Sequence, residues 1–329
     1  MSYVWACRCG IDARGCFGDV RERSTKEPPI EPPETLRALV APRATSLLMT
    51  MWGDAILPRG GDAWLGALPA LMAPLGVDEG SVRTAVHRLV ADGWLNSVQV
   101  GRRRNLRMPA ERLAVTRPVQ ARIYNERPES WNGAWFLVLI SPATASSREA
   151  LRRALSAEGF ASLSPNMFAH PHYRWRDFQT YIEERGFRGD IAAAFEASEV
   201  SGGASMAELW DLDTIAAEWE DIERLSEIAD RADRGADAFA ARTLLIHAMR
   251  RLVLKTPSLP QELLPNAWPE LRVRRKLKAV YLKLWKKSDA WAGERTISAD
   301  GGSLRLDAAE PDRFEANLFA STPRQRGAA

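Results

Sequence analysis

The sequence predicts an α+β chain in three parts: an N-terminal winged helix-turn-helix, a ferredoxin-like α/β sandwich in the middle, and an all-helical C-terminal region. Three observations carry this. Residues 36–125 read as three helices and then two short strands joined at Gly101-Arg102-Arg103. Residues 126–203 alternate in the order β-α-β-β-α-β. Residues 204–292 show helical periodicity throughout. At 329 residues the chain exceeds one ordinary core, and 46% apolar with 26% charged residues is the composition of folded globular proteins.

Residues 1–35 are expected to be a disordered extension. They are polar and end in Lys26-Glu27-Pro28-Pro29-Ile30-Glu31-Pro32-Pro33, a proline density that predicts an extended segment. Cys7, Cys9 and Cys16 are the only cysteines, so no disulfide framework holds the body, which suits a reducing cytoplasm. The first residues lack the apolar core of a secretory signal. The longest apolar run, Ala134 to Ile140, is far short of the roughly 20 residues of a membrane span, so no membrane partner is expected.

The first helix runs through Ser46 to Trp52 and stops at Pro58, before the turn Arg59-Gly60-Gly61. A second begins near Gly66 and ends at Pro74-Leu75-Gly76. Asp78 is a good N-cap for the third, and Glu79 suits the positive end of the helix dipole. Val82, Val86, Leu89 and Val90 then form one apolar face, and Asp92-Gly93 ends the helix. Trp94 to Val100 and Arg104 to Met108 read as strands.

In the middle region Trp135 to Ile140 is a buried strand, followed by a helix with Ser146 and Glu149 at capping-box spacing. Strands at Phe160–Leu163 and Asn166–Ala169, a helix at Trp175–Glu184 and a strand at Ile191–Ala197 complete it, although the alanine-rich last segment suits a helix equally. Farther on, Leu212, Ile215, Trp219, Ile222 and Leu225 mark an amphipathic helix, and two more helices run over about 236–255 and 270–291. Residues 293–329 read as a loose tail.

The chemistry points to nucleic acid. With its apolar face inward, the third helix turns Ser81, Arg83, Thr84, His87 and Arg88 outward, side chains that can reach base edges in a major groove. Arg102, Arg103 and Arg104 at the hairpin tip would meet phosphates or a minor groove. The net charge of +3 conceals this: residues 42–117 hold ten Lys+Arg and six Asp+Glu, while residues 204–240 hold eleven acids and three arginines. The plain alternative is a small helical domain with a solvated arginine hairpin. Consecutive arginines directly after a helix of the right length favour DNA.

These residues resemble the PaaX-type repressors of phenylacetic acid degradation. The likeness lies in Ser46-Leu47-Leu48, Trp52-Gly53-Asp54, Leu57-Pro58-Arg59-Gly60-Gly61, Ser81-Val82-Arg83-Thr84, Asp92-Gly93-Trp94-Leu95 and Gly101-Arg102-Arg103. It continues in Trp131-Asn132-Gly133-Ala134-Trp135, Trp210-Asp211-Leu212-Asp213, Ala241-Arg242-Thr243-Leu244-Leu245-Ile246-His247 and Leu263-Leu264-Pro265, over roughly residues 36–291. The resemblance implies a bacterial transcriptional regulator with a Cas2-like middle domain. It also implies double-stranded operator DNA as partner and an aryl-CoA thioester, phenylacetyl-CoA, as the ligand that relieves repression. A CoA thioester needs cations and an apolar slot; Arg242, His247, Arg250 and Arg251, beside Trp210 in the family pattern, are the candidates. A homodimer on a palindromic operator is expected, with Leu212–Leu225 as the candidate contact.

Catalytic residues, cofactors and metals are not expected. A Cas2-like metal-dependent nuclease would want a carboxylate at the end of the first middle strand, where Ser141-Pro142 stand. His170-Pro171-His172 offers two metal ligands and no third, and Gly203-Ala204-Ser205-Met206-Ala207 lacks the last glycine of a nucleophile elbow. Arg272 to Lys287 carries eight basic residues and no acid, with an apolar stripe; a solvated helix face is the plain reading, and phosphate or anionic-lipid binding the sharper one.

Overall fold

The computed structural model describes residues 32–124, 131–171, 173, 175–198, 209–256 and 259–296. Cys7, Cys9, Cys16, His172, the Gly203–Ala207 segment and the tail beyond residue 296 lie outside them. The described residues form two compact units. One comprises those of Ala13–Glu126, Glu220–Arg251 and Leu271–Ala329; the other comprises those of Arg127–Trp219 and Leu252–Glu270. Each unit takes in part of the C-terminal stretch from residue 209 to 296.

In the first unit, helix α1 (Pro32–Val40) starts inside the segment expected to be extended. Prolines are tolerated in a first turn, where the missing N–H has no helical partner in any case. Ala41, at φ 43°, breaks the chain before α2 (Ala44–Met51). From Ser46 to Met51 every residue of α2 is buried, so it lies at the centre of the unit. It continues through a π turn at Trp52–Ile56 and a 3-10 turn at Leu57–Arg59. Strand β1 (Asp62–Trp64) follows, too short for a sequence pattern to mark. Helix α3 (Leu68–Met72) lies between two 3-10 turns.

Helix α4 (Glu79–Ala91) starts as the sequence predicts, Asp78 accepting the Ser81 N–H at 2.9 Å. Strands β2 (Asn96–Val100) and β3 (Arg103–Arg107) complete an antiparallel sheet in the order β1-β3-β2. Val100 pairs with Arg103, so the turn is Gly101-Arg102 alone, and Gly101 takes the positive φ of 58° that such a turn asks for. Helix α5 (Ala110–Tyr124), which the sequence pattern did not mark, closes the N-terminal part.

Helices α8 (Leu212–Ala229), α9 (Gly235–Lys255) and α10 (Glu270–Gly293) fall where periodicity puts them. The Glu220–Arg251 and Leu271–Gly293 portions belong to the first unit. There α9 is buried on every side from Ala238 to Arg250, so it is the central helix of that unit's C-terminal part.

The second unit holds β4 (Trp135–Ile140), α6 (Ala145–Ala157), β5 (Ala161–Ser164), β6 (Met167–His170), α7 (Trp175–Glu184) and β7 (Ile191–Ala197). The antiparallel order β5-β6-β4-β7 is that of a ferredoxin-like sheet. Thr144, not Ser146, caps α6, accepting the Ser147 N–H at 3.1 Å; Ser146 lies inside the first turn. The alanine-rich segment is a strand because β4 supplies a ladder for it. Phe136, Val138 and Ile140 face a core with Leu151, Leu155 and Phe178, while Trp135 and Leu137 face another with Trp210 and Leu259. Burial on both faces explains why β4 is an unbroken apolar run.

Candidate nucleic-acid interface

The candidate interface starts from the phase of α4. Val82, Ala85, Val86 and Leu89 are buried, which leaves Arg83, Thr84, His87 and Arg88 exposed and Ser81 half-buried. Ser81 does double duty at the cap. Its N–H and its hydroxyl (2.7 Å) both donate to Asp78, and these bonds hold the Asp78 carboxyl below the usual carboxylate range. Arg83 pairs with Glu79 one turn back, and Thr84 Oγ1 donates to the Gly80 carbonyl at 3.0 Å. Both are solvent-exposed contacts on the helix's own surface, weak enough to be exchanged for a stronger acceptor.

On the hairpin Arg102 and Arg104 are exposed, but Arg103 is not equivalent to them. Its guanidinium lies 4.7 Å over the Trp64 ring and ties the hairpin to β1. Gln99 Nε2 donates to the Gly101 carbonyl at 2.9 Å and braces the turn. Arg107 forks onto Asp62, Nε to Oδ1 at 2.6 Å and Nη2 to Oδ2. Arg112 stacks 4.6 Å over Trp94 and donates to the carbonyls of Asp92 and Gly93, fixing the exit of α4. Sequence reasoning placed Trp64 in the motif Trp64-Leu65-Gly66 without a role and did not single out Asp62 or Arg112; each acts through a contact across the fold.

The residues nominated for an effector take other places. Trp210 belongs to the second unit, stacked on Trp135 at 6.1 Å with its Nε1 donating to the Gly159 carbonyl at 3.3 Å. Arg242, His247, Arg250 and Arg251 belong to the first unit. Arg242 is fully buried, its Nη2 3.0 Å from Asp54 Oδ2, and its guanidinium lies 4.7 Å over Trp285 and 5.2 Å over Tyr281. The hydroxyls of Tyr124 and Tyr281 donate to Asp54 Oδ1 at 2.7 and 2.9 Å. Asp54 sits on the π turn, so that turn presents a carboxylate answered from α5, α9 and α10 together. His247 Nδ1 lies 2.8 Å from Thr50 Oγ1, to which Arg250 Nη1 also donates at 3.2 Å. Burial, then the charges of Arg250 and Arg251, push the His247 pKa well below its ordinary value, so the ring is neutral. Arg251 Nη1 donates to the Val40 carbonyl at 2.8 Å, capping the end of α1. As placed, the four α9 side chains hold residues 40–54.

Two further expectations change. The Leu212–Leu225 stripe is not available to a second chain, because Trp219, Ile222 and Leu225 are buried within this one. The basic run of α10 is partly answered by α8 and the turn after it: Arg272 pairs with Glu220 and Glu223, Lys276 with Glu223 and Glu227, Lys283 with Asp230, and Lys287 with Asp233. Those bonds draw the Glu223 and Asp233 carboxyls down and the Lys276 ammonium up. His170 is buried against Phe160 and Tyr173. Among the described residues no group of three or more His, Cys, Asp or Glu is arranged to hold a metal ion, and no helix is long and apolar enough to cross a membrane.

The chain matches three sequence families: PaaX-like protein over residues 43–110, the PaaX protein central Cas2-like domain over 128–209, and the PaaX-like protein C-terminal domain over 210–294. It is 34% identical over 270 residues to the transcriptional repressor PaaX of Escherichia coli (strain K12), covering 78% of this chain and 85% of that one. A solved structure, the uncharacterized protein Rv0674 from Mycobacterium tuberculosis, aligns at 24% identity over 69% of this chain and 90% of that one, with a TM-score of 0.47. The class is thus an α+β protein with a Cas2-like central domain and a helical C-terminus. Within that class the chain belongs to the PaaX family.

Proposed function

We propose that the protein is a DNA-binding transcriptional repressor, a regulator rather than an enzyme. In this reading its N-terminal elements work as a winged helix-turn-helix, with α4 as the recognition helix and β2–β3 as the wing. One observation carries it: a helix buried along Val82, Val86 and Leu89 turns Arg83, Thr84, His87 and Arg88 to solvent, and the hairpin that follows adds Arg102 and Arg104. The E. coli relative named a transcriptional repressor supports the same role. Ser81, Arg83, Thr84, His87 and Arg88 read bases of double-stranded operator DNA; Arg102 and Arg104 meet phosphates, and Arg103 fixes the wing. The protein works as a homodimer in the cytoplasm, where its operator is.

The regulated genes are those of aromatic-acid (phenylacetate) catabolism, and an aryl-CoA thioester such as phenylacetyl-CoA releases the operator. Arg242, His247, Arg250 and Arg251 enter through their hold on residues 40–54: a ligand that shifts α9 alters the support of the helices that carry α4. A difference of about 3 kcal/mol in ligand affinity between the two arrangements lowers operator affinity by roughly two orders of magnitude.

Fluorescence anisotropy on a labelled fragment of the gene's own promoter tests the core of this reading. Arg83→Ala is expected to cost about 1–3 kcal/mol on the specific site and little on random duplex. Equal losses on both would sink the assignment of α4. Titrating the bound fragment with phenylacetyl-CoA and with free phenylacetate tests the effector separately; release by the thioester alone is expected.

A further inference from the structure

Between Arg272 and Lys287 helix α10 carries eight cations and no acid, and the first unit does not use them alike. Arg272, Lys276, Lys283 and Lys287 recur on one stripe and meet the acids of α8 and the turn after it. Arg274 Nη1 donates to the carbonyls of Arg122 and Ile123, at 2.8 and 3.3 Å, where α5 ends. Lys278 is half-buried. Arg275 and Lys286 differ from all of these. Both are exposed, and among the described residues no acid pairs with either.

Arg275, Ala279, Leu282, Lys286 and Ala290 follow one another at intervals of three or four residues, so they share one face of the helix. Ala279 and Ala290 are exposed and Leu282 is half-buried, which leaves the face low between its two cations. Arg275 and Lys286 are about 16 Å apart along the helix, the rise of roughly five base pairs of duplex.

Two further observations narrow the partner. The large apolar side chains of α10 (Val273, Leu277, Val280, Tyr281, Leu284 and Trp285) are buried. A helix that lies on a lipid surface must offer such a stripe to the membrane, and this one is already packed inside the unit. In addition, α5 ties α10 to α4. Near its start Arg112 donates to the carbonyls of Asp92 and Gly93 at the exit of α4, and its last turn receives Arg274. Tyr124 of α5 and Tyr281 of α10 both donate to Asp54 Oδ1. The two ends of this strut are about 15 Å apart. Between them Arg117 is exposed, and Glu111 is the one acid of α5.

We infer that the outer face of α10 is a second contact for the DNA backbone. Arg275 and Lys286 take phosphate oxygens of the duplex beside the bases that α4 reads, and α5 fixes the spacing. The contact rests on the DNA-binding role of α4 and extends it. Each hydrated cation that meets a phosphate releases a condensed counterion, whereas the stripe facing α8 is already answered by carboxylates. Phosphate contacts carry no base sequence, so this one adds affinity to every duplex.

The test uses the full chain and fluorescence anisotropy, on the gene's own promoter fragment and on a random duplex of equal length, over a range of sodium chloride. Arg275→Gln with Lys286→Gln keeps helix propensity. It should flatten the salt slope by about two on both duplexes and leave the preference between them unchanged. Lys283→Gln with Lys287→Gln removes the same charge from the stripe that faces α8 and should leave the slope nearly unchanged. Hydroxyl-radical footprinting of the first variant should show protection lost over a few consecutive sugars and kept elsewhere. If the glutamine pair lowers the urea midpoint, Arg275→Met with Lys286→Met replaces it and must give the same slope. An unchanged slope in the Arg275 and Lys286 variants, or an equal change in the Lys283 and Lys287 variant, overturns the assignment. Loss of binding to phosphatidylserine vesicles at an unchanged DNA slope overturns it too and gives the face to a lipid surface. Arg83→Ala separates the two claims: equal losses on both duplexes sink α4 as the reading helix, while the slope still falls in the α10 variant. A parent that binds neither duplex overturns both.

Discussion

The first unit holds two populations of arginine, and their contrast separates its surface from its framework. Arg83, with 71% of its side chain exposed, pairs with Glu79 on the same helix. Arg242, with none exposed, lies against Asp54 and over the rings of Tyr281 and Trp285. The exposed charge is hydrated and screened and can move to a phosphate or base edge at small cost. The buried one has been taken out of water and holds its place only with its partners present. Residue type does not tell the two apart; surroundings do.

The contrast is easiest to break from the inside. Asp54→Asn keeps the shape of the π turn but leaves the Arg242 charge in the core without its carboxylate. Removing one partner of a buried pair costs about 3–5 kcal/mol, which should appear as a lower urea midpoint. Asp54→Leu with Arg242→Met should cost less than the two single changes summed. A cost under about 1 kcal/mol for Asp54→Asn would mean that Asp54 and Arg242 do not hold the framework.

At the surface the expected effect is smaller and of another kind. Arg102→Ala with Arg104→Ala should weaken binding to specific and random duplex alike and flatten the salt slope by about two. Fold stability should be nearly unchanged. Arg103→Ala differs from both, since its loss frees the hairpin from Trp64 and lowers stability as well as affinity.

Much of this surface was legible in the sequence because it depends on local phase. Asp78, the spacing of Val82, Val86 and Leu89, and Gly93 fix where α4 begins, which way it faces and where it stops. What was not legible depends on partners distant in the chain. β1 has three residues and exists because β3 pairs with it. α5 carries Pro118 in its interior, which argues locally against a helix. The burial of Arg242, His247 and Arg250 follows from α9 being enclosed on all sides, whereas in the sequence they stand out only as cations that could meet a ligand. The acids of α8 and the bases of α10 stood out only as separate blocks; the fold sets them against each other.

His247 carries the contrast into pH. Its pKa in the folded protein lies well below the unfolded value of about 6.5. Below that value the unfolded chain takes up a proton that the buried ring refuses, so the native state loses stability as pH falls. Above it the contribution is complete. The slope approaches about 1.4 kcal/mol per pH unit. Thermal melting between pH 8 and pH 5.5 should show it, and His247→Gln should remove that part of the decline. An unchanged slope in the variant would place the proton elsewhere.

The smallest effect lies between the extremes, where α10 meets α8. Lys276 is about one-third exposed and reaches both Glu223 and Glu227. A single exposed pair of this kind is worth roughly 0.2–1 kcal/mol, so Lys276→Met should shift the urea midpoint only slightly, the more so because its stem still covers apolar surface. The expected signature is salt dependence rather than size. Raising sodium chloride from low to high should cost the parent more stability than the variant, because the mobile ions screen a contact that the variant no longer has. Asp54 and Arg242, out of reach of those ions, should respond little to the same titration. If salt weakened the buried pair as much as the exposed one, water would have to reach Asp54, and the division between framework and surface arginines would fail.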